Sequence, residues 1–147
     1  MAIITKDILL TGVRRDDAFE WLGNPANHDV ILAGAFDSVS GTGGEYQLGI
    51  TTPGRKRTMG YRFVSKDDGH GGRRVLVETS GKRTRGKLNY SLRTMKPSRN
   101  TLVTIRMDYE PGGTLGGLIN STGLAEVLED GLGRMLDNLS SACPRSA

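Results

Sequence analysis

The sequence predicts an α+β domain in which a curved antiparallel sheet of about seven strands wraps around a long C-terminal helix. Three observations support this fold. Between positions 35 and 110, segments of alternating apolar and polar residues recur roughly every 8 to 15 residues, separated by turn sequences. Each segment has one apolar face that another element must cover. The C-terminal part of the chain carries a long apolar stripe at helical spacing, which supplies that cover.

The first elements are a strand and two short helices. Residues 2–11 alternate as a strand, with Lys6 as an exception on the apolar face. Asp16 and Asp17 open a helix that runs to Leu22, because acidic side chains are favoured in the first turn. The sequence Gly-Asn-Pro at 23–25 ends it, and a second short helix is predicted from Pro25 to about residue 32.

Six further strands are predicted at 35–41, 45–51, 56–65, 73–81, 87–95 and 101–110. Tight turns at 41–44 and 53–54 and a glycine-rich loop at 67–72 separate them. Neighbouring strands joined in this way form an antiparallel meander.

The final helix is predicted over 115–139. Its apolar stripe consists of Leu118, Ile119, Leu124, Val127, Leu128, Leu132, Met135, Leu136 and Leu139. Gly123, Gly131 and Gly133 are poor helix formers that each cost about 1 kcal/mol relative to alanine. We therefore expect a helix that is kinked or closely packed at these glycines.

The order of elements and two local segments carry a family resemblance. The segments are Asp-Ala-Phe-Glu-Trp-Leu-Gly-Asn-Pro at 17–25 and Leu-Gly-Gly-Leu at 115–118, which leads into 131–139. The chain resembles, over nearly its whole length, the START-like (SRPBCC) superfamily of polyketide cyclases/dehydrases and lipid-transport proteins, with the helix-grip fold of Bet v 1. The resemblance implies a cavity between sheet and helix that holds lipids, sterols, hormones, quinones or aromatic polyketides. A minority of the family are enzymes, and neither segment carries a catalytic signature.

The apolar phases of the strands and of the long helix define the predicted ligand-binding site. It is drawn from residues that share the inward phase, namely Met59, Tyr61, Phe63, Val77, Tyr90, Leu92, Val103, Ile105, Met107, Leu128 and Leu132. The inward tyrosines suit either a cavity wall that orients a ligand or ordinary core packing, and both interpretations stay open.

Motifs for other chemistry are weak. The glycine-rich stretch 112–117 lacks the Gly-Lys-Ser/Thr of a phosphate loop. His28 and His70 have no metal-ligand spacing to a second His or Cys. For His28 the alternatives are a polar residue at the cavity mouth and a solvated or capping role. We therefore predict no catalytic residue, no metal and no cofactor.

The length and the cysteine content limit the number of domains and of disulfides that the chain can form. The 147 residues fit one domain, predicted as 1–142 and followed by a short tail at 143–147. Cys143 is the only cysteine, which excludes an internal disulfide, and we interpret it as a thiol in a frayed tail. No signal sequence opens the chain, and no apolar stretch approaches the roughly 18 to 20 residues that span a bilayer. A cytoplasmic protein without a membrane span is expected, as a monomer or a dimer.

Charge is unevenly distributed. Residues 55–106 hold 15 of the 20 lysines and arginines with only three acidic residues. These side chains either line the solvent face of the strands or form a surface for nucleic acid or anionic lipid. Sparse aromatic residues disfavour specific nucleic-acid binding.

Binding or transport of a hydrophobic small molecule is the function that the sequence favours, because the inward phases are nearly all apolar apart from tyrosine. The alternatives are a polyketide cyclase/aromatase-like enzyme and an interaction protein that uses the basic strands to bind nucleic acid or the ribosome.

Overall fold

The computed structural model describes residues 2–52, 55–69, 72–80, 85–96, 99–109 and 123–146. The chain runs through β1 (Ala2–Leu10), α1 (Arg15–Leu22), a 3₁₀ turn (Pro25–Asn27) and α2 (His28–Leu32). The strands β2 (Ser38–Thr42), β3 (Glu45–Thr52), β4 (Arg55–Asp67), β5 (Arg73–Ser80), β6 (Arg85–Met95) and β7 (Asn100–Tyr109) follow. The last element is α3 (Leu124–Ala142).

The strands form one seven-stranded sheet in the order β1-β7-β6-β5-β4-β3-β2. Every neighbouring pair is antiparallel. Consecutive strands from β2 to β7 are therefore neighbours, and β1 closes the order by pairing with β7 from Ala2–Tyr109 to Leu10–Thr101. This curved sheet, with its long C-terminal helix and two short helices after β1, confirms the predicted helix-grip fold.

The long helix covers the inner face of the sheet, as the apolar stripe predicts. The buried residues of α3 are Leu124, Leu128, Gly131, Leu132, Met135, Leu136 and Leu139. They join inward residues of the strands and helices in one hydrophobic cluster. The predicted positions 115–122, including Leu118 and Ile119, lie outside the described residues.

The helix glycines fit a closely packed helix. Gly123 precedes the helix with a φ of +74°, a left-handed conformation that glycine adopts without strain. Gly131 is buried against the ring of Phe36, and a methyl group there would overlap that ring. Gly133 faces Lys6 of β1, whose Nζ lies 3.5 Å from the position that a Cβ would take. Gly131 therefore lets the Phe36 ring approach the helix closely, whereas a side chain at Gly133 would make only an ordinary contact with Lys6.

Several element boundaries differ from the sequence prediction. The strand β4 continues to Asp67 instead of position 65, and α3 continues to Ala142 instead of position 139. The second helix starts as a 3₁₀ turn and becomes α-helical only at His28. The strand predicted at 35–41 begins at Ser38, because residues 33–37 form turns and bends around Gly34, whose φ is +69°. Positions 53–54 and His70, which the sequence predicts in turns and loops, lie outside the described residues, as does the glycine-rich stretch 112–117.

The frayed tail predicted after residue 142 is wrong for residues 143–146. The side chain of Cys143 is 3% exposed, and burial raises the pKa of its thiol. The amide of Ser146 donates to the carbonyl of Gly12 at 2.8 Å. Its hydroxyl accepts from the amide of Arg14 at 2.8 Å and donates to Asp17 Oδ2 at 2.6 Å. The tail is therefore attached to the segment that leads into α1.

The outer face of the sheet carries a row of charges that alternate in sign. The strand register places five charged residues opposite one another, in the order Glu45, Arg62, Glu78, Lys87 and Asp108. Opposite charges on directly paired residues stabilise a sheet. This alternation means that the row is not a uniformly basic strip of the kind that binds the phosphate backbone of nucleic acid.

Candidate functional site

All eleven residues predicted to bind a ligand lie on the inner face of the sheet or the facing side of α3. Ten are buried, and Phe63 is half-buried against them. The structure therefore brings the predicted set together around one interior. Its role in holding a ligand stays a prediction, because side chains such as Val103 and Ile105 are fully enclosed by their neighbours.

A hydrogen-bonded chain of polar side chains crosses this apolar interior. The hydroxyls of Tyr90 and Tyr61 are 2.7 Å apart. The Tyr61 hydroxyl lies 2.6 Å from His28 Nδ1. His28 Nε2 lies 2.8 Å from the carbonyl oxygen of Leu22, at the end of α1. We call these four residues the interior polar chain.

The direction of the interior polar chain follows from its last member. A carbonyl oxygen only accepts, so Nε2 of His28 carries a hydrogen and donates to Leu22. In the neutral ring Nδ1 is then an acceptor, and Tyr61 donates to it. Tyr90 in turn donates to Tyr61. The chain ends on the Tyr90 oxygen, which keeps its lone pairs and has no further hydrogen to give.

Burial keeps the side chains of the interior polar chain uncharged. Desolvation of the fully buried His28 ring lowers its pKa from the usual 6.5, although the Leu22 carbonyl opposes that shift. Burial likewise raises the pKa of the Tyr61 and Tyr90 hydroxyls. At neutral pH the interior polar chain therefore holds a neutral imidazole and two protonated phenols.

Local sequence explains how His28 reaches the interior. Asn24 caps the 3₁₀ turn by accepting from the amide of Ala26, and α2 starts directly afterwards. His28, Ile31 and Leu32 are the buried residues of α2. Their spacing of three and four positions places them on one helical face. The His28 ring packs edge-on against the ring of Phe63, with centroids 5.3 Å apart.

The solvated role considered for His28 is therefore wrong. The capping alternative agrees with the structure, because Nε2 donates to the carbonyl of Leu22, the last residue of α1. The spacing of His28 to Ile31 and Leu32 is the sequence signal that could have placed it inside. No sequence signal linked it to Tyr61, because that contact depends on how α2 lies over β4.

A second polar contact joins α2 to the β2–β3 hairpin. The hydroxyl of Tyr46 donates to Asp29 Oδ1 and accepts from the amide of Gly44 at 3.1 Å. The amide of Gly43 donates to the same carboxylate oxygen at 3.1 Å. Burial and the hydrogen bond to Asp29 raise the pKa of Tyr46 to about 12. This contact fixes the position of α2, and with it His28, relative to the sheet.

Thr79 presents a buried hydroxyl that has no hydrogen-bond partner among the described residues. It follows Glu78, and Glu78 pairs with Arg62, so Thr79 lies beside Tyr61 on the inner face. Thr79 is 2% exposed, and Oγ1 makes no hydrogen bond within the part of the chain that the structure describes. Directly opposite is Gly86, where a Cβ would overlap Oγ1. A buried hydroxyl without a partner costs about 1 to 3 kcal/mol, and it is a candidate ligand contact.

Other kinds of site find no support within the described ranges. No cluster of three or more His, Cys, Asp or Glu side chains there could hold a metal ion. Among the helices described, none combines the length and apolar composition needed to cross a bilayer.

A separate groove of about 790 Å³ lies on the outer face of the sheet, lined by residues of β4 to β7. Strand alternation did not predict this groove, because most of its lining residues lie on the outward phase and Val64 is the extra residue of a β-bulge.

Comparison with known proteins supports the fold. No protein-family model matches the chain, and no curated protein matches its sequence. Solved structures do match. The Zhui aromatase/cyclase from Streptomyces sp. R1128 has a TM-score of 0.68 at 12% identity, over 97% of this chain and 93% of that one. A truncated norcoclaurine synthase from Thalictrum flavum has a TM-score of 0.61 at 17% identity, over 99% and 95%. The chain thus has a Bet v 1-like, SRPBCC-type fold.

Proposed function

We propose that the interior between the sheet and α3 binds a small hydrophobic molecule. The observation that carries this proposal is the interior polar chain, which ends on the Tyr90 oxygen among apolar side chains. Ligand sites in proteins are mostly apolar with a few placed polar groups that fix orientation. Thr79, with its unpartnered hydroxyl beside Tyr61, supplies a second such group.

The site would enclose the ligand against α3 and orient it by its polar end. The Tyr90 oxygen can accept a hydrogen bond, and the Thr79 hydroxyl can both donate and accept. An apolar body with one hydroxyl group matches this pair. Because the inner side chains are closely packed, ligand binding requires some of them to move apart.

Native mass spectrometry of the protein purified from its host tests the proposal directly. A bound small molecule that is released on denaturation supports it. A second measurement compares the affinities of 2-naphthol and naphthalene, which differ only in a hydroxyl group. Wild type should prefer 2-naphthol, and Thr79→Val should reduce that preference about fivefold or more while leaving naphthalene binding unchanged.

The same variant separates binding from folding. Thr79→Val replaces an unpartnered hydroxyl by a methyl group of the same shape, so the free energy of unfolding should stay equal or rise. A variant that is as stable as wild type and still prefers 2-naphthol equally would remove Thr79 from the site. Failure of both probes to bind, with no co-purified molecule, would contradict the proposed function.

A cyclase-like enzyme is the second candidate, and the interior polar chain favours it. If a bound hydroxyl gave its proton to Tyr90, the protons of Tyr90 and Tyr61 could each move one place, and His28 Nδ1 would receive the last one. The neutral His28 ring is in the form needed to receive it. Two of the structural neighbours are named as enzymes, an aromatase/cyclase and norcoclaurine synthase.

The molecule that co-purifies with the His28→Gln variant distinguishes the two candidates, because an enzyme would leave its substrate unconverted there. Returned to the purified wild-type protein and followed by liquid chromatography and mass spectrometry, it stays unchanged if the protein is a carrier. Cyclisation with aromatisation would instead appear as loss of water, and His28→Gln should abolish that loss.

A further inference from the structure

We propose that the groove on the outer face of the sheet is a second binding site, separate from the interior, for a small amphipathic anion. The groove is lined by Val64 of β4, Leu76 and Glu78 of β5, Arg85 and Lys87 of β6, and Asp108 of β7, among others. Its volume of about 790 Å³ lies within the range of roughly 300 to 1,000 Å³ typical of small-molecule sites.

The groove has an apolar patch that the strand pattern alone does not explain. The pairing of β4 with β5 shifts between Phe63 and Ser65, so that Val64 is the extra residue of a β-bulge. Val64 is 48% exposed, one of the large hydrophobic side chains left open to solvent. Leu76, which pairs with Ser65, lies half-buried beside it. Together they form a surface that an apolar ligand can contact.

The carboxylates of the groove are already neutralised. Arg62 Nη2 contacts Glu78 Oε2 at 2.7 Å. Arg106 Nε contacts Asp108 Oδ1 at 3.0 Å. Lys87 lies between these two acids in the strand register. Among the described residues, however, no carboxylate oxygen comes within 4.0 Å of its Nζ.

Within the described residues, two cations of β6 are therefore left without a carboxylate partner. Arg85 and Lys87 are both exposed and project from the same face of the strand, about 7 Å apart along it. Arg85 likewise has no carboxylate within 4.0 Å in the part of the chain that the structure describes. The pairs Arg62–Glu78 and Arg106–Asp108 each sum to zero charge, so Arg85 and Lys87 give the described lining of the groove a net positive charge.

Apolar contact and free positive charge together select one class of ligand. An apolar body would lie on Val64 and Leu76, and a sulfonate, carboxylate or phosphate group would lie between Arg85 and Lys87. Arginine and lysine both bind such anions, and arginine can do so with two parallel hydrogen bonds. The interior site, which is apolar and uncharged, favours a neutral molecule, so the two sites bind different ligands.

Binding of 8-anilinonaphthalene-1-sulfonate, measured by fluorescence and calorimetry, tests the proposal. The double variant Arg85→Gln/Lys87→Gln should weaken this anion about tenfold or more. The matched control, Lys56→Gln/Arg93→Gln, removes two exposed cations outside the groove lining and should change affinity by less than about twofold. The uncharged N-phenyl-1-naphthylamine should bind the two double variants equally.

Three results would overturn the proposal. The anion could bind the groove variant as tightly as wild type, or the control could lose as much affinity as the groove variant. Alternatively, Val64→Asn could leave anion binding unchanged, although it removes the apolar contact. Competition by phenyl phosphate and by octanoate then shows whether a phosphate ester or a carboxylate is the better ligand.

Discussion

Replacing Tyr61 by phenylalanine removes one oxygen atom from the middle of the interior polar chain. That oxygen lies 2.6 Å from His28 Nδ1 and 2.7 Å from the Tyr90 hydroxyl. Without it, both groups stay buried without their partner. An unsatisfied buried polar group costs about 1 to 3 kcal/mol, so the free energy of unfolding should fall by about 2 to 6 kcal/mol.

Urea denaturation at pH 7.5 measures this loss, and Tyr109→Phe is the matched control. Tyr109 also lies buried on the inner face, but its hydroxyl makes no hydrogen bond with the described residues. Removing that hydroxyl should therefore change the free energy of unfolding by less than about 0.5 kcal/mol. Equal urea midpoints for Tyr61→Phe and Tyr109→Phe would refute the interior polar chain.

Three further measurements test the packing around the site. Leu132→Asp places a charge in the buried stripe of α3, so the free energy of unfolding should fall by about 4 kcal/mol or more. Glu129→Ala on the exposed side of α3 should lower it by less than about 0.5 kcal/mol. Equal urea midpoints for the two variants would contradict the position of the helix. Because burial lowers the pKa of His28 in the folded protein below its usual 6.5, the unfolded state binds more protons in acid. Stability should therefore decline as the pH falls from about 6.5 towards the pKa of His28 in the folded protein. In urea melts at pH 7.5 and 5.0, His28→Gln should lose this dependence. Gly44 has a φ of +97°, and a Cβ there would lie 2.8 Å from a proline carbon, so Gly44→Asn should lower stability by about 2 to 4 kcal/mol. Gly43 has a φ of +69° and open space around it, so Gly43→Asn should change stability by about 0.5 kcal/mol or less. Thermal melts that rank the two variants in the reverse order would contradict the turn geometry.

Much of the fold follows from local patterns. Alternation along β6 and β7 places Tyr90, Leu92, Val103 and Ile105 on the inner face, where the structure has them. The period of two specifies the face of every strand residue once one face is buried. The β-bulge at Val64 breaks that period, and it was not predicted because only the pairing register of β4 with β5 reveals the extra residue.

The candidate site was predicted only in part. The sequence identified the apolar side chains and the tyrosines, because each belongs to an inward phase. The contact between His28 and Tyr61 joins positions 33 residues apart, and no local pattern encodes it. The unpartnered hydroxyl of Thr79 depends on the missing side chain of Gly86 opposite, which only the strand register reveals.

Pairing of β1 with β7 has a consequence for folding during synthesis. Ala2 pairs with Tyr109, so the first strand cannot complete its hydrogen bonds until β7 has been made. At translation rates of about 5 to 20 residues per second, that delay is about 5 to 20 s. Throughout it, the apolar residues Ile4 and Leu10, which end up buried, have neither β7 nor the later helix against which to pack. During synthesis the apolar side chains of β1 therefore stay without their final partners until β7 and the long helix have been made.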